Sequence, residues 1–134
     1  MNDSNRKFLI LVIEDEKILA DVLEERLQKE KFEVIKSYNG LEGLELALNK
    51  HPDLILLDLL MPKMNGLEVI KKLGEDTWGL SAKVIIFTNL SDSANVVLST
   101  GIIGLGKNYE YMIKAESTLE DVVLKIEQKL GISK

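Results

Sequence analysis

Cysteine is absent from this chain of 134 residues. That excludes a disulfide framework, a zinc–thiolate centre and thiol-based nucleophilic catalysis. Histidine occurs once, and His51, next to Pro52, reads as an exposed helix-end residue with no catalytic role. The basic residues, 17 against 22 acidic, leave a net charge of −5. There is thus no electrostatic footprint for nucleic acid, and an acidic surface suits an anionic membrane poorly. No internal repeat or low-complexity tract is present. Long apolar runs are lacking too: the first, Phe8–Ile13, stops at Glu14 and is too short to span a bilayer. The polar N-terminus lacks a small-residue cleavage site, so no signal peptide is expected and a cytoplasmic location is the default. What remains is 46% hydrophobic and 29% charged, which argues against disorder. The length fits a single domain over 1–134 with a full core.

Apolar runs alternate with helical patterns five times. Strands are predicted near Lys7–Ile13, Glu33–Ser37, Asp53–Asp58, Lys83–Thr88 and Tyr109–Ile113. Helices are predicted near Glu16–Glu30, Gly40–Lys50, Gly66–Leu73, Ser91–Gly104 and Ser117–Leu130. Ile18, Leu19, Val22, Leu23 and Leu27 share one face of the first helix, and Leu119, Val122, Val123, Ile126 and Leu130 share one face of the last. Ser117 with Glu120 makes a capping-box pattern that would start the last helix. The first, third and fourth strands are nearly all apolar, as strands covered on both faces should be. The alternation predicts a parallel sheet with helices on both faces and right-handed crossovers. Asn39-Gly40, Met61-Pro62 and Asn65-Gly66 mark turns, and His51-Pro52 ends the second helix. Gly74–Ala82 reads as a loop in which Trp78 caps against the body.

Three acidic positions carry most of the functional information. Glu14 and Asp15 end the first apolar run, and Asp58 ends the run Leu54–Leu57. Carboxylates at the ends of buried parallel strands sit where an open α/β sheet presents its ligands. Two such strands side by side would gather all three in one crevice. Carboxylates about 4 Å apart repel by roughly 4 kcal/mol per pair at an effective dielectric near 20. The cluster therefore calls for a divalent cation, and an all-oxygen ligand set suits Mg²⁺. Thr88 ends the fourth strand and Lys114 the fifth, at the same edge. Taken alone, a strand-end aspartate is more often a turn or cap residue, Thr88 an ordinary β-branched strand residue and Lys114 a solvated lysine. Their joint occurrence at one edge reverses those readings. Glu16 reads as a first-turn helix residue favoured by the helix dipole.

With these residues in place the chain resembles the receiver domain of two-component response regulators, close to single-domain chemotaxis-type receivers. The resemblance runs over essentially the whole chain. It rests on Leu11-Val12-Ile13-Glu14-Asp15-Glu16, on Pro52–Pro62 around Asp58 with Asn65-Gly66, on Ile85-Ile86-Phe87-Thr88 and on Tyr111-Met112-Ile113-Lys114. It implies a doubly wound, flavodoxin-like (βα)5 fold with strand order 2-1-3-4-5. It also implies that Asp58 takes a phosphoryl group from a histidine kinase or a histidine phosphotransfer protein. Glu14, Asp15, Asp58 and the backbone carbonyl of Leu60 would hold Mg²⁺, Glu14 largely through water. Thr88 would be the switch hydroxyl, Lys114 the phosphate-binding ammonium and Tyr111 the rotating aromatic, with simple packing as the alternative for Tyr111. The output would be a partner-binding face around the fourth helix, the fifth strand and the last helix. The implied protein is a switch with self-catalysed phosphotransfer, not a metabolic enzyme. Its downstream partner is a protein the sequence does not identify. Direct nucleic-acid or membrane binding is not expected, and a phosphorylation-dependent homodimer stays open.

The chain departs from the family pattern at Ala115, where proline usually follows the lysine. A cis bond before a non-proline residue costs about 2.5–4 kcal/mol, so Lys114–Ala115 is expected to be trans. Leu60 and Leu90 lie two residues after Asp58 and Thr88, at positions that influence water access in receivers. Two leucines predict slow self-dephosphorylation. Residues 91–106 hold Asp92 as their one charge among many aliphatics, which either pack on the sheet or form an apolar docking face. Three alternatives stay open. A haloacid-dehalogenase-type phosphotransferase is disfavoured by Leu60, where that class needs a second aspartate. A non-phosphorylated interaction module on the same fold is another. The third is a receiver excised from a larger regulator.

Overall fold

The computed structural model describes residues 7–89 and 109–132. Five parallel strands, β1 Leu9–Ile13, β2 Glu33–Ser37, β3 Leu54–Leu57, β4 Val84–Thr88 and β5 Tyr109–Ile113, form one sheet in the order β2-β1-β3-β4-β5. The order predicted from the resemblance is the order observed. The strands that read as nearly all apolar are the central ones. Every residue of β3 and β4 is buried, and only Leu9 at the start of β1 is partly open.

Helices α1 Lys17–Lys29, α2 Gly40–Lys50, α3 Gly66–Gly74 and a C-terminal helix Leu119–Leu130 flank the sheet. The expected helix over Ser91–Gly104, and Leu90, lie outside the described residues. Two apolar layers result because strand side chains alternate between faces. Leu11, Ile13, Ile55, Leu57, Val84 and Ile86 pack on α2 and α3. Ile10, Val12, Leu54, Leu56, Ile85 and Phe87 pack on α1 and the C-terminal helix. Among the described residues no helix is long and apolar enough to cross a membrane.

The local sequence explains each boundary, sometimes one step away from where it was expected. Asn39 caps α2 by accepting from the Glu42 N–H, and Asn65 makes a capping box with Glu68 on α3. The C-terminal helix starts from Thr118, not Ser117: the capping box is Thr118 with Asp121. The two patterns overlap in sequence, and the later start turns Val122, Val123 and Ile126 into the core. Ser117 is used differently, its Oγ donating to the Ile113 carbonyl at 2.8 Å. Glu16 is the N-cap of α1 and not a first-turn residue. The buried stripe of α1 is Ala20, Leu23 and Leu27, while Ile18 is 83% exposed, so the helix faces the sheet along a narrower arc than its apolar residues mark out. His51 ends α2, as expected before proline, and does so in a left-handed conformation, φ 48°, and is exposed. Trp78 stacks on it, with ring centroids 4.4 Å apart and planes 7° from parallel. The loop that carries Trp78 contains a single 3₁₀ turn, Gly79–Ser81.

The β3–α3 loop, which follows Asp58, is held by a close backbone approach. The Gly66 N–H donates to the Leu59 carbonyl at 2.9 Å. A Cβ on Gly66 would lie 2.5 Å from the Asp58 carbonyl oxygen and 2.7 Å from Leu59 Cα. Gly66→Ala should therefore destabilise the domain by about 1–3 kcal/mol, as overpacking against backbone does. Urea unfolding measures this, and an unchanged midpoint would show that the loop yields freely.

Candidate functional site

The strand ladders bring the acidic residues together. Ile13 of β1 lies in register with Leu57 of β3, so the next residues, Glu14 and Asp58, emerge side by side at the carboxyl edge. The link continues past the assigned strands, with the Glu14 N–H donating to the Ser37 carbonyl at 2.9 Å and the Asp58 N–H to the Ile13 carbonyl at 3.0 Å. Strand order reverses between β1 and β3, which is where an open sheet has its crevice. Carboxylate oxygens of Glu14, Asp15 and Asp58 lie within 4.8 Å of one another. Glu14 and Asp58 are buried, and Asp15 is half-buried.

One ammonium stands among them. Lys114 Nζ is 2.7 Å from Glu14 Oε1, 3.2 Å from Asp58 Oδ2 and 3.4 Å from Glu16 Oε1. Its side chain is 10% exposed. β5 delivers it, since Ile113 pairs with Thr88 at the end of β4. Burial alone would lower the Lys114 ammonium, but hydrogen bonds and charge from Glu14 and Asp58 outweigh it and hold its pKa above the usual lysine range. Glu14 is pushed up to about 7, first by burial and then by the Asp58 charge, against the opposing pull of Lys114. The remaining acceptors meet backbone donors. Glu14 Oε2 takes the Glu16 N–H at 3.1 Å and Asp58 Oδ1 the Leu60 N–H at 3.3 Å.

The other expected residues fall as follows. Thr88 is fully buried, and its hydroxyl has no hydrogen-bond partner among the described residues. Leu60 follows Asp58 by two residues with its side chain 61% exposed at the mouth of the site. Tyr111 is half-buried on β5, paired with Ile86, and packs against the same apolar layer as Tyr109. The Lys114–Ala115 peptide is trans, as expected, and opens a 3₁₀ turn over Lys114–Glu116. Two contacts were not read from the sequence. Glu16 reaches Lys114, and Asn89 Oδ1 accepts from the Ala115 N–H at 2.8 Å. The signal for the second was the departure at Ala115 itself, because an alanine there restores a donor that proline would lack.

Three carboxylates face a single lysine that bridges two of them, so negative charge is left uncompensated. The donor set is all oxygen, which fits a hard divalent cation such as Mg²⁺. At the end of the adjacent strand the Thr88 hydroxyl is buried and has no hydrogen-bond partner among the described residues.

The raised Glu14 pKa fixes a sign for pH dependence. A carboxyl whose folded pKa exceeds its ordinary 4.5 binds more protons when folded. Its contribution to stability is therefore present below pH 4.5 and is lost as pH rises through about 7. Without divalent metal, the domain should lose stability over that interval by an increment that Glu14→Gln lacks. Thermal unfolding of both proteins across the interval checks this; a stability difference independent of pH would contradict it.

Comparison with known proteins agrees with this arrangement. The response regulator receiver domain family matches residues 10–105. The response regulator ArlR of Staphylococcus aureus is 42% identical over 88 residues, which cover 66% of this chain and 39% of that relative. The chain thus spans about two fifths of the length of the curated relatives it matches. A CheY-like receiver domain protein from Methanospirillum hungatei superposes with a TM-score of 0.80 at 28% identity, over 94% of this chain and 95% of that one. The receiver domain of a sensor histidine kinase from Pseudomonas aeruginosa, solved with a magnesium ion in its active-site cleft, shares the fold with a TM-score of 0.80 at 19% identity, over 94% and 99%. The sheet order, the acidic crevice and these matches lead to one assignment: this chain belongs to the response regulator receiver domain family of two-component signal transduction.

Proposed function

We propose that the chain is a single receiver domain over 1–134 that accepts a phosphoryl group on Asp58 from a histidine kinase or a histidine phosphotransfer protein in the cytoplasm. The observation that supports this most directly is the cluster of Glu14, Asp15 and Asp58, in which the largely buried Lys114 ammonium pairs with Glu14 and Asp58. A carboxylate is competent as a nucleophile toward phosphorus. An Asp58 oxygen would form the new P–O bond as the donor's P–N bond breaks, with the imidazole leaving. Phosphoryl transfer of this kind depends mainly on positioning and charge stabilisation.

Each neighbour then has a defined task. Glu14, Asp15, Asp58 and the Leu60 carbonyl are the oxygens that would hold Mg²⁺, which when bound neutralises charge on the phosphoryl oxygens. Lys114 would exchange its hold on Asp58 for a phosphoryl oxygen, as a compact charge with three donors can. The Thr88 hydroxyl would gain its missing partner by donating to another phosphoryl oxygen. That pull would vacate space beside Tyr111 and bias a face around β5 and the C-terminal helix, joined by the fourth helix expected from the sequence outside the described residues, where a downstream protein would read the state. A phosphorylation-dependent homodimer through that face is an alternative output.

Intact mass after incubation with acetyl phosphate and Mg²⁺ should rise by one phosphoryl group, and Asp58→Asn should remove the gain. An adduct that persists in Asp58→Asn would overturn the assignment of Asp58. No adduct, together with no measurable Mg²⁺ binding, would favour a non-phosphorylated interaction module. In the same sample the acyl phosphate should decay slowly, because Leu60 offers no group to orient water. A lifetime of only seconds would contradict that expectation.

A further inference from the structure

We propose that Asn89 is a positioning residue for Lys114, acting through the Ala115 backbone. Asn89 follows Thr88 directly, and Ala115 follows Lys114 directly. The 2.8 Å hydrogen bond from the Ala115 N–H to Asn89 Oδ1 therefore ties the loop leaving the switch hydroxyl to the loop carrying the ammonium. The β4–β5 ladder ends at Thr88 and Ile113. The side-chain bond extends the connection between these strands past that last rung.

The pairing requires both residues. Proline at 115 has no N–H to give, and alanine at 89 has no side-chain oxygen to receive it. The substitution that sets this chain apart from the usual pattern thus comes with its own acceptor. The rest of the turn is closed by Ser117, whose N–H donates to the Lys114 carbonyl at 3.3 Å and whose Oγ donates to the Ile113 carbonyl at 2.8 Å. Those bonds all lie within the β5 side of the site. Asn89 supplies the bond that fixes the turn relative to β4. Both residues line an open cleft of about 370 Å³, along with Glu16, Phe87 and Lys114. A shift of the backbone at Thr88 is carried through Asn89 to the residue next to Lys114. The donor lysine and the hydroxyl then move as one unit.

This role rests on the reading of Lys114 as the phosphate-binding group. The test is a double-mutant cycle of Asn89→Ala and Ala115→Pro. The rate of labelling by acetyl phosphate is followed by intact mass, and Mg²⁺ affinity is measured separately by calorimetry. Asn89→Ala should slow labelling roughly fivefold, the scale of one lost hydrogen bond, with Mg²⁺ affinity unchanged. In the Ala115→Pro background the same substitution should have no effect on the rate. A residue that merely supported the fold would lower rate and metal affinity together, without regard to position 115. Equal rates for wild type and Asn89→Ala, or an equal loss in both backgrounds, would overturn the positioning role alone. A wild type that takes no label and binds no Mg²⁺ would overturn the phosphoacceptor reading, and this role with it.

Discussion

Lys114 is the cation that lets two buried carboxylates stand next to each other. Parallel pairing of β1 with β3 leaves no choice about where Glu14 and Asp58 go: they are adjacent residues at the ends of adjacent strands. Both are almost fully buried. Burial and the Asp58 charge push Glu14 up to about 7 even against the pull of Lys114, and without that ammonium nothing but backbone donors would oppose them. The lysine comes from β5, separated from β3 by the whole of β4. The site is therefore assembled across four neighbouring strands, and the order in which they lie is a condition of its chemistry. The compensation is also incomplete, since one ammonium faces three carboxylates. That deficit leaves the crevice with an excess of negative charge.

The strands at the centre of the sheet are apolar along most of their length. β3 and β4 carry buried side chains on both faces, and the two layers they feed share no polar group that must be satisfied inside. Within the sheet the buried polar side chains, Ser37 and Thr88, close β2 and β4, and Glu14 and Asp58 follow β1 and β3, where backbone groups in the loops provide donors for the two carboxylates. Thr88 is the exception. It is a strand-end residue that is fully buried and yet has no partner among the described residues. A β-branched residue suits the strand position, but its hydroxyl adds nothing to the sheet.

The parts of the fold that were legible in the sequence are those fixed by periodicity. Unbroken apolar runs marked the central strands, and the acidic residues that follow β1 and β3 are the ones the structure gathers in one crevice. The misreadings occur where two local patterns compete. Ser117–Glu120 and Thr118–Asp121 are both capping boxes on paper, and only packing of Val122, Val123 and Ile126 chooses between them. In α1 the apolar residues span a wider arc than the sheet can cover, so Ile18 faces outward although its type suggests otherwise. Of the Asn89–Ala115 bond the sequence showed only the donor, freed by alanine at 115; the acceptor lies 26 residues away on a side-chain oxygen, and no spacing rule connects the two.

The only tryptophan and the only histidine stack on each other at the amino edge of the sheet, before β3 and β4 begin. The acidic crevice is at the opposite edge. Intrinsic indole emission from this protein therefore reports on the end that takes no part in the chemistry. Any change in that emission when a cation or a phosphoryl group arrives would have to be transmitted along the full length of the strands. An optical signal that stayed silent would say nothing against occupancy of the site, whereas one that responded would be evidence that the far edge of the sheet senses it.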